Sequence, residues 1–283
     1  MDSTVGYLVI TGLGIIANWF AWSYGLYKAP GVCQPSSVRV RASAVFGTFA
    51  IYLFCSTFLS KLAFRLFRGY MYTHFVSVVN GIQFVTVTLN IVLLFFFSRA
   101  FIDRSSLRKI WKDRSFSYAK SIGYDVLLGL FFWLTSLPFI IIVTGLCDFF
   151  IYHLAGVREY EQVAVQYLKM SIASPPLLFM ALSLILVIAP WLEEFLFRGI
   201  LQSSLRHYFG AKAAVLLSSL GFALFHLAPS QGWGNLTLVA TLFTFACFLG
   251  FVYERQRSLF ASIALHSAFN AVSTIRILLE VWA

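Results

Sequence analysis

Long apolar stretches alternate with short polar connections along the whole chain. Most of these stretches hold about 20 predominantly apolar residues, the length that an α-helix needs to cross the hydrocarbon core of a bilayer. They predict about eight transmembrane helices, at residues 5–27, 42–64, 71–98, 122–152, 174–206, 211–227, 235–253 and 259–279. The predicted fold class is therefore all-α, a polytopic transmembrane helical bundle.

Composition agrees with this pattern, because 60% of the residues are hydrophobic and only 11% are charged. These values exclude an ordinary soluble domain. The net charge of +10, from 21 Lys and Arg against 11 Asp and Glu, could by itself indicate a nucleic-acid partner. The basic residues lie at the ends of the apolar stretches, however, and not along one face. We therefore expect the lipid bilayer as a partner and no nucleic acid.

The densest basic connection lies between the third and fourth predicted helices, at residues 99–120. Because short cytoplasmic loops carry an excess of Lys and Arg, we expect this connection in the cytoplasm. Alternation of the helices then places Lys28, Arg206, Arg255 and Arg257 on the same side of the membrane. Both ends of the chain are expected on the opposite side.

A polar, amphipathic segment at residues 153–171 divides the chain, and Pro175 and Pro176 follow it. The proline pair blocks continuation of a helix, so a new helix is expected to begin there. Residues 1–170 form an N-terminal part of about four helices plus this linker, and residues 171–283 form a second part of about four helices. The first part has only two acidic residues inside apolar stretches. These residues, Asp125 and Asp148, lie near helix ends, where an interfacial role is expected.

The second part carries three groups of polar residues in its apolar stretches. Ionisable side chains are costly in a bilayer and usually mark a functional site. The groups are Glu193, Glu194 and Arg198; Phe222 and His226; and His266 and Asn270. Residues four apart share a helix face, so Glu194 should face Arg198. Glu193 is turned by about 100° and is free to point into a cavity.

Depth in the membrane indicates whether the groups can meet. At about 1.5 Å per residue from the basic helix ends, Glu193 lies about 20 Å deep, His226 about 22 Å, His266 about 13 Å and Asn270 about 19 Å. Straight helices are assumed, and a kink at Pro190 changes the figure by about one turn. We therefore expect one shared site near the bilayer midplane.

Three motifs occur in a fixed order: EEFLFRG at residues 193–199, FALFH at 222–226 and HSAFN at 266–270. They resemble the three motifs of the CPBP (CAAX protease and bacteriocin-processing) family of intramembrane proteases, also called the Abi family. That family includes the CAAX prenyl endopeptidases and bacterial proteins of bacteriocin processing and immunity. The resemblance covers about residues 174–279, and the flanking GFVYERQRSLFASIALH is similar to the bacterial branch. It implies a multi-pass protein of the bacterial inner (plasma) membrane.

The resemblance implies a hydrolase that cleaves peptide bonds within the membrane, with a membrane-anchored or hydrophobic peptide as substrate. A prenylated CAAX-like protein and a leader-bearing peptide both remain open. Glu193 is expected to activate a water that His226 also holds, because attack on an amide needs a deprotonated water. His266 and Asn270 are expected to stabilise the oxyanion, each contributing on the order of 3 kcal/mol.

The remaining motif residues are expected to support these four. Arg198 would neutralise Glu194, and Phe222 would pack beneath the imidazole of His226. Each feature alone also has a structural interpretation: a buried ion pair, an ordinary core residue, and interhelical hydrogen bonds of His266 and Asn270.

Two alternatives for the function stay open. The first is a zinc-dependent protease that uses Glu193, His226 and His266, since the CPBP family is often described as metalloproteases. No HExxH motif occurs and no two histidines are four residues apart, so a mechanism without metal or other cofactor is favoured. The second is a non-enzymatic family member in immunity or complex assembly. A transporter is not favoured, because the chain has no internal repeat.

Two further features complete the sequence-based expectations. Residues 228–234, APSQGWG, form the only Gly- and Pro-containing connection beside the motifs, and we expect a mobile lid or substrate entrance there. The four cysteines, Cys33, Cys55, Cys147 and Cys247, have no CxxC spacing and are expected to be free thiols.

Overall fold

The computed structural model describes residues 3–28, 38–114, 121–156 and 163–282. Within these residues the chain forms nine helices and no sheet, which confirms the all-α fold class. The helices are α1 Ser3–Ser23, α2 Ala42–Leu66, α3 Arg68–Phe101, α4 Arg104–Trp111, α5 Ile122–Ala155, α6 Val163–Ser171, α7 Pro175–Leu224, α8 Gly234–Gln256 and α9 Leu259–Trp282.

Six of the described helices are long and apolar enough to cross a membrane: α2, α3, α5, α7, α8 and α9. Helix α7 has 50 residues and contains the fifth and sixth predicted spans. It changes direction at Gly210, whose φ of 77° and ψ of 172° suit glycine because it lacks a Cβ. The apolar part of α1, Val9–Ser23, is shorter than the six. An integral, multi-pass membrane protein is thus confirmed, and the count of eight spans stays a prediction.

The proline pair begins α7 as expected, at the first two helical positions, where a missing N–H has no cost. Part of the predicted linker, residues 157–162, lies outside the described residues. The part that is described, α6, is tied to α3. The phenol of Tyr167 donates to Asn80 Oδ1 at 2.6 Å, and Asn80 Nδ2 donates to Ser171 Oγ at 3.2 Å.

The connections that were expected on one side of the membrane meet in the structure. The backbone N–H of Asp113 donates to the carbonyl of Arg257 at 2.9 Å. Arg255 Nε donates to the carbonyl of Leu26 at 2.7 Å, and Arg206 pairs with Glu254. These connections therefore lie together at one end of the bundle, and the side of the membrane that this end faces stays a prediction.

The two aspartates of the N-terminal part differ from each other. Asp125 lies near the start of α5, but it is fully buried and pairs with Lys112 from the preceding connection. Asp125 is therefore enclosed by protein and paired with a lysine, and the interfacial role expected for it stays a prediction. Asp148 is exposed and accepts a hydrogen bond from Thr237 Oγ at 2.9 Å.

Two contacts hold the helices that carry the polar groups. A cluster of buried apolar side chains packs α3, α7 and α8 together and includes Leu94, Leu192, Phe197 and Ala246. Helices α5 and α9 approach each other at Gly129, where an added Cβ would lie 2.2 Å from the carbonyl oxygen of Ala261. The position of α9 therefore depends on the absence of a side chain at this one residue.

Three of the four cysteines lie in the described residues, and all three are free thiols as predicted: Cys55, Cys147 and Cys247. Cys33 lies outside the described residues.

Candidate active site

The glutamate pair lies on a short α-helical turn of α7 between two π-helical segments, Leu184–Ile188 and Phe195–Gln202. Pro190 accounts for the first segment in part, since it has no N–H to close a regular α-helical hydrogen bond. π-Helical insertions are rare and occur often at functional sites. The π-helical segments before and after Glu193 and Glu194 therefore change the directions in which the neighbouring side chains point.

Glu194 is fully buried, and one of its carboxylate oxygens contacts both Arg198 and His266. Its Oε1 accepts from Arg198 Nη1 at 3.0 Å, which confirms the predicted pairing on one helix face. The same Oε1 lies 2.9 Å from His266 Nδ1. Arg198, also fully buried, donates to the carbonyl of Ala246 at 3.1 Å. One carboxylate thus connects helices α7 and α9, and its arginine connects α7 to α8.

His226 lies in the turn that follows α7, and its ring is oriented by a backbone carbonyl of the last turn of that helix. Its Nδ1 lies 2.8 Å from the carbonyl oxygen of Phe222. A carbonyl can only accept, so Nδ1 carries the proton and Nε2 of the neutral ring has a free lone pair. That Nε2 lies 3.7 Å from Glu193 Oε2.

The ring of His266 has the same orientation for a different reason. Glu194 Oε1 already accepts from Arg198 Nη1, so we assign Oε1 as the acceptor and His266 Nδ1 as the donor in their contact. His266 Nε2 then faces Glu193 Oε2 at 3.9 Å. Both imidazoles therefore present Nε2 to the same carboxylate oxygen. Glu193, His226 and His266 therefore lie close together, as expected, and their depth in the membrane, like that of Asn270, stays a prediction.

Access to this arrangement comes from the side of His226. The side chain of His226 is 33% exposed, that of Glu193 16% and that of His266 6%. The two O···N distances are too long for direct hydrogen bonds but short enough for one water or ion to bridge them. The site can therefore hold one small reactant between three side chains.

Phe222 packs beneath these groups and is 1% exposed. Its ring centroid lies 4.6 Å from that of His226 and 5.8 Å from that of His266. The guanidinium carbon of Arg198 lies 4.7 Å from the same ring, a cation–π contact. The predicted packing of Phe222 against His226 is confirmed.

Asn270 has a partner that the sequence did not indicate. Its Nδ2 donates to the carbonyl of Ile185 at 2.9 Å. In a π-helix each carbonyl pairs with the N–H five residues later, and for Ile185 that residue is Pro190, which has none. Asn270 therefore satisfies a carbonyl that the proline leaves free.

Comparison with known families supplies the deciding observation. Residues 175–272 match the family model described as "Type II CAAX prenyl endopeptidase Rce1-like". The chain carries an Rce1-like segment. The resemblance drawn from the three motifs is thereby confirmed, and the match supports a membrane peptidase of the CAAX endopeptidase type. No curated protein and no solved structure is a significant match.

The Rce1-like segment begins with α7 and ends within α9, so it contains Glu193, His226, His266 and Asn270. One residue near this site lies outside the segment. Tyr52, on α2, packs against the apolar cluster that includes Leu192 and Phe222, and its ring centroid lies 5.9 Å from that of Phe225. No sequence signal indicates this proximity, because α2 has no motif and the contact joins residues far apart in the chain.

A zinc ion needs its ligands at defined separations. Two ligands of tetrahedral zinc lie about 3.3 Å apart when each is about 2.0 Å from the ion. The corresponding separations from Glu193 Oε2 are 3.7 Å to His226 and 3.9 Å to His266. Among the described residues, no three potential ligands are close enough to hold a metal ion as they stand. The three residue types suit zinc, and the spacing is about half an ångström too wide.

Asn235, which follows the predicted lid at residues 228–234, forms hydrogen bonds with Ala228, the first residue of that segment. Its Oδ1 accepts from the N–H of Ala228 at 3.1 Å, and its Nδ2 donates to the carbonyl of Ala228 at 2.8 Å. A short 3₁₀ turn at Pro229–Gln231 lies between these contacts and Gly232. The lid role itself stays a prediction.

Proposed function

We propose that the protein is an intramembrane endopeptidase in which Glu193 activates water to hydrolyse a peptide bond. The observation that carries this proposal is the convergence of two imidazole Nε2 atoms on Glu193 Oε2 within the Rce1-like segment. The substrate is a membrane-associated peptide, either prenylated and CAAX-like or bearing a leader. The bacterial flanking pattern favours the inner membrane as its location.

In this mechanism a water lies between Glu193 and His226 and attacks the carbonyl carbon of the scissile bond. Glu193 accepts a proton from the water as the new C–O bond forms. The carbonyl oxygen becomes an oxyanion in the tetrahedral intermediate. Glu193 then returns the proton to the leaving nitrogen as the C–N bond breaks, and the carboxylate is regenerated.

The hydrogen bonds that one water can make between Glu193, His226 and His266 suggest a role for His266. With both rings neutral, Glu193 Oε2 and two Nε2 atoms are three acceptors, whereas a water has only two hydrogens to donate. A third hydrogen on one ring removes this conflict. The ring of His266 has a carboxylate oxygen, Glu194 Oε1, 2.9 Å from its Nδ1, so a hydrogen on each ring nitrogen would have an acceptor or a reactant facing it. Protonated His266 can then donate Nε2–H to the oxyanion.

A zinc ion is the second candidate, because a cation also satisfies three converging acceptors. Glu193, His226 and His266 would hold it, and Glu194 and the carbonyl of Phe222 would orient the two rings, as partners of metal-binding histidines commonly do. The ion would supply Lewis-acid activation of water or carbonyl. We favour the mechanism without metal. Loss of activity in a chelator, with recovery on addition of zinc, would instead support the metal site.

Comparative peptidomics of cells that carry either the wild type or Glu193→Ala tests the proposed function. We expect a membrane-associated peptide to accumulate uncleaved in the variant, with its product found only in the wild type. Identical peptide populations at equal protein levels would contradict the proposal and favour a non-enzymatic role.

A further inference from the structure

Tyr52 places a phenol from the N-terminal helices at the proposed active site. It lies at the end of the first α-helical part of α2, and a π-helical segment, Phe54–Leu59, follows it directly. This residue lies outside the Rce1-like segment at 175–272. Its contribution would therefore be a property of this chain beyond the matched segment.

Aromatic contacts fix this part of α2 against α7. The ring of Phe49 lies 5.3 Å from that of Phe197 and 5.4 Å from that of Phe225. The ring of Tyr52 lies 5.9 Å from that of Phe225, the residue next to His226. Since aromatic pairs at these separations are attractive, the phenol of Tyr52 has a defined position relative to the site.

The phenol is close to Glu193 but is not bonded to it. The side chain of Tyr52 packs against the apolar cluster that includes Leu192, the residue before Glu193, and Phe222, the residue beneath His226. Among the described residues, no hydrogen bond joins its hydroxyl to Glu193. Among the residues that the structure describes, none accepts a hydrogen bond from the Tyr52 hydroxyl. The O–H group is therefore available to a reactant bound beside Glu193.

The proposed reaction needs such a donor. A carbonyl attacked by a water on Glu193 places its oxygen within about 4 to 5 Å of that carboxylate, given ordinary hydrogen-bond lengths. Asn270 uses Nδ2 to bond the carbonyl of Ile185, and His266 donates from Nε2 only when it is protonated. A phenol can donate at neutral pH without a change of charge.

We propose that Tyr52 is a further catalytic residue, whose O–H donates a hydrogen bond to the oxyanion of the tetrahedral intermediate. The inference rests on the proposed endopeptidase function. It makes the N-terminal helices part of the catalytic apparatus in addition to their role in anchoring the chain.

Tyr52→Phe removes the hydroxyl and keeps the ring contacts. We expect kcat to fall about 10- to 100-fold and KM to change less than about threefold, because the donor acts mainly in the transition state. Tyr72→Phe is the matched control: the same atom is removed from an 81% exposed side chain on α3, and kcat should not change. A wild-type kcat in Tyr52→Phe, while Glu193→Gln is inactive, would overturn this inference and leave the proposed function intact.

A second measurement does not depend on activity. With 3-fluorotyrosine at position 52, the ¹⁹F chemical shift should change when Glu193→Gln is introduced, because the charge facing the ring is removed. The same label at position 72 should give an unchanged signal. An unchanged signal at position 52 would place the phenol away from Glu193 and overturn the inference even if no substrate is cleaved.

Discussion

His266 Nδ1 and Glu194 Oε1 lie 2.9 Å apart and connect the last helix of the bundle to the helix that carries both glutamates. The contact gives Glu194 a function beyond its ion pair with Arg198. It orients the imidazole so that Nε2 faces Glu193. The two adjacent glutamates therefore lie on opposite sides of the same histidine ring.

Glu194→Gln should lower both stability and activity. The change leaves the buried Arg198 without its carboxylate, which typically costs about 3 to 5 kcal/mol of unfolding free energy. The double variant Glu194→Gln/Arg198→Gln removes both charges and should recover much of this stability. It should not recover kcat, because His266 still lacks the carboxylate. Thermal unfolding and peptide cleavage on the same preparations distinguish the effects, and joint recovery of both would show that Glu194 acts only as a charge partner.

Asn270 can be tested together with the proline whose missing N–H it offsets. Asn270→Ala leaves the Ile185 carbonyl without its donor and should cost about 1 to 3 kcal/mol. In a Pro190→Ala background the N–H is restored, so the same change should cost less. A double-mutant cycle of unfolding free energies measures the difference. Additive effects would contradict the structural role and leave an oxyanion role as the better explanation of Asn270.

Gly129 should be intolerant of a side chain, whereas Gly145 on the same helix should accept one. A Cβ at residue 129 would lie 2.2 Å from the Ala261 carbonyl, but a Cβ at residue 145 would have no atom within 4 Å. Gly129→Val should therefore displace α9 and His266, with a loss of about 1 to 3 kcal/mol and of activity. Equal unfolding temperatures of Gly129→Val and Gly145→Val would argue against the close contact of α5 and α9.

Asp103 caps the start of α4, and through this residue the stability of the protein should depend on pH. Its carboxylate accepts from the N–H groups of Ser105 at 2.8 Å and Ser106 at 3.0 Å. Hydrogen bonds from Ser106 hold the pKa of this carboxyl below its usual value of 3.8. The charged Asp103 cap therefore stabilises the folded protein fully at pH values above 3.8. This contribution is lost as the pH falls through the lower pKa of the folded state.

Asp103→Asn removes this titration and keeps a capping side chain. The difference in unfolding temperature between wild type and variant should be constant from about pH 7 to pH 5 and should shrink below about pH 4, since the unfolded carboxyl titrates near there. A constant difference down to pH 2 would show that the cap does not depend on the charge.

The sequence predicts local features of this site well. The spacing of Glu194 and Arg198 gives their contact directly, since residues four apart on a helix are neighbours. Helix ends agree with the predicted ones within a few residues at most boundaries, because charges and prolines limit the apolar stretches. Counting residues from the basic ends indicated that Glu193, His226 and His266 could share a site, and the three side chains do lie close together.

Contacts between distant residues could not be predicted in the same way. The bond from Asn270 to Ile185 depends on a π-helical segment, whereas the sequence-based estimate assumes 3.6 residues per turn. The approach of Tyr52 to Glu193 depends on how α2 packs against α7. The pairing of the buried Asp125 with Lys112 joins a helix to a connection, so distance from a helix end alone did not indicate this partner.

The central claim, that Glu193 is the base of a proteolytic site, is tested most directly by Glu193→Gln. Wild type and variant would be purified, reconstituted in liposomes and given the membrane-associated peptide that peptidomics identifies. We predict a loss of about 10²- to 10⁴-fold in kcat, the range typical of a general base, with an unchanged unfolding temperature. A folded Glu193→Gln protein that cleaves the peptide at the wild-type rate would contradict the account.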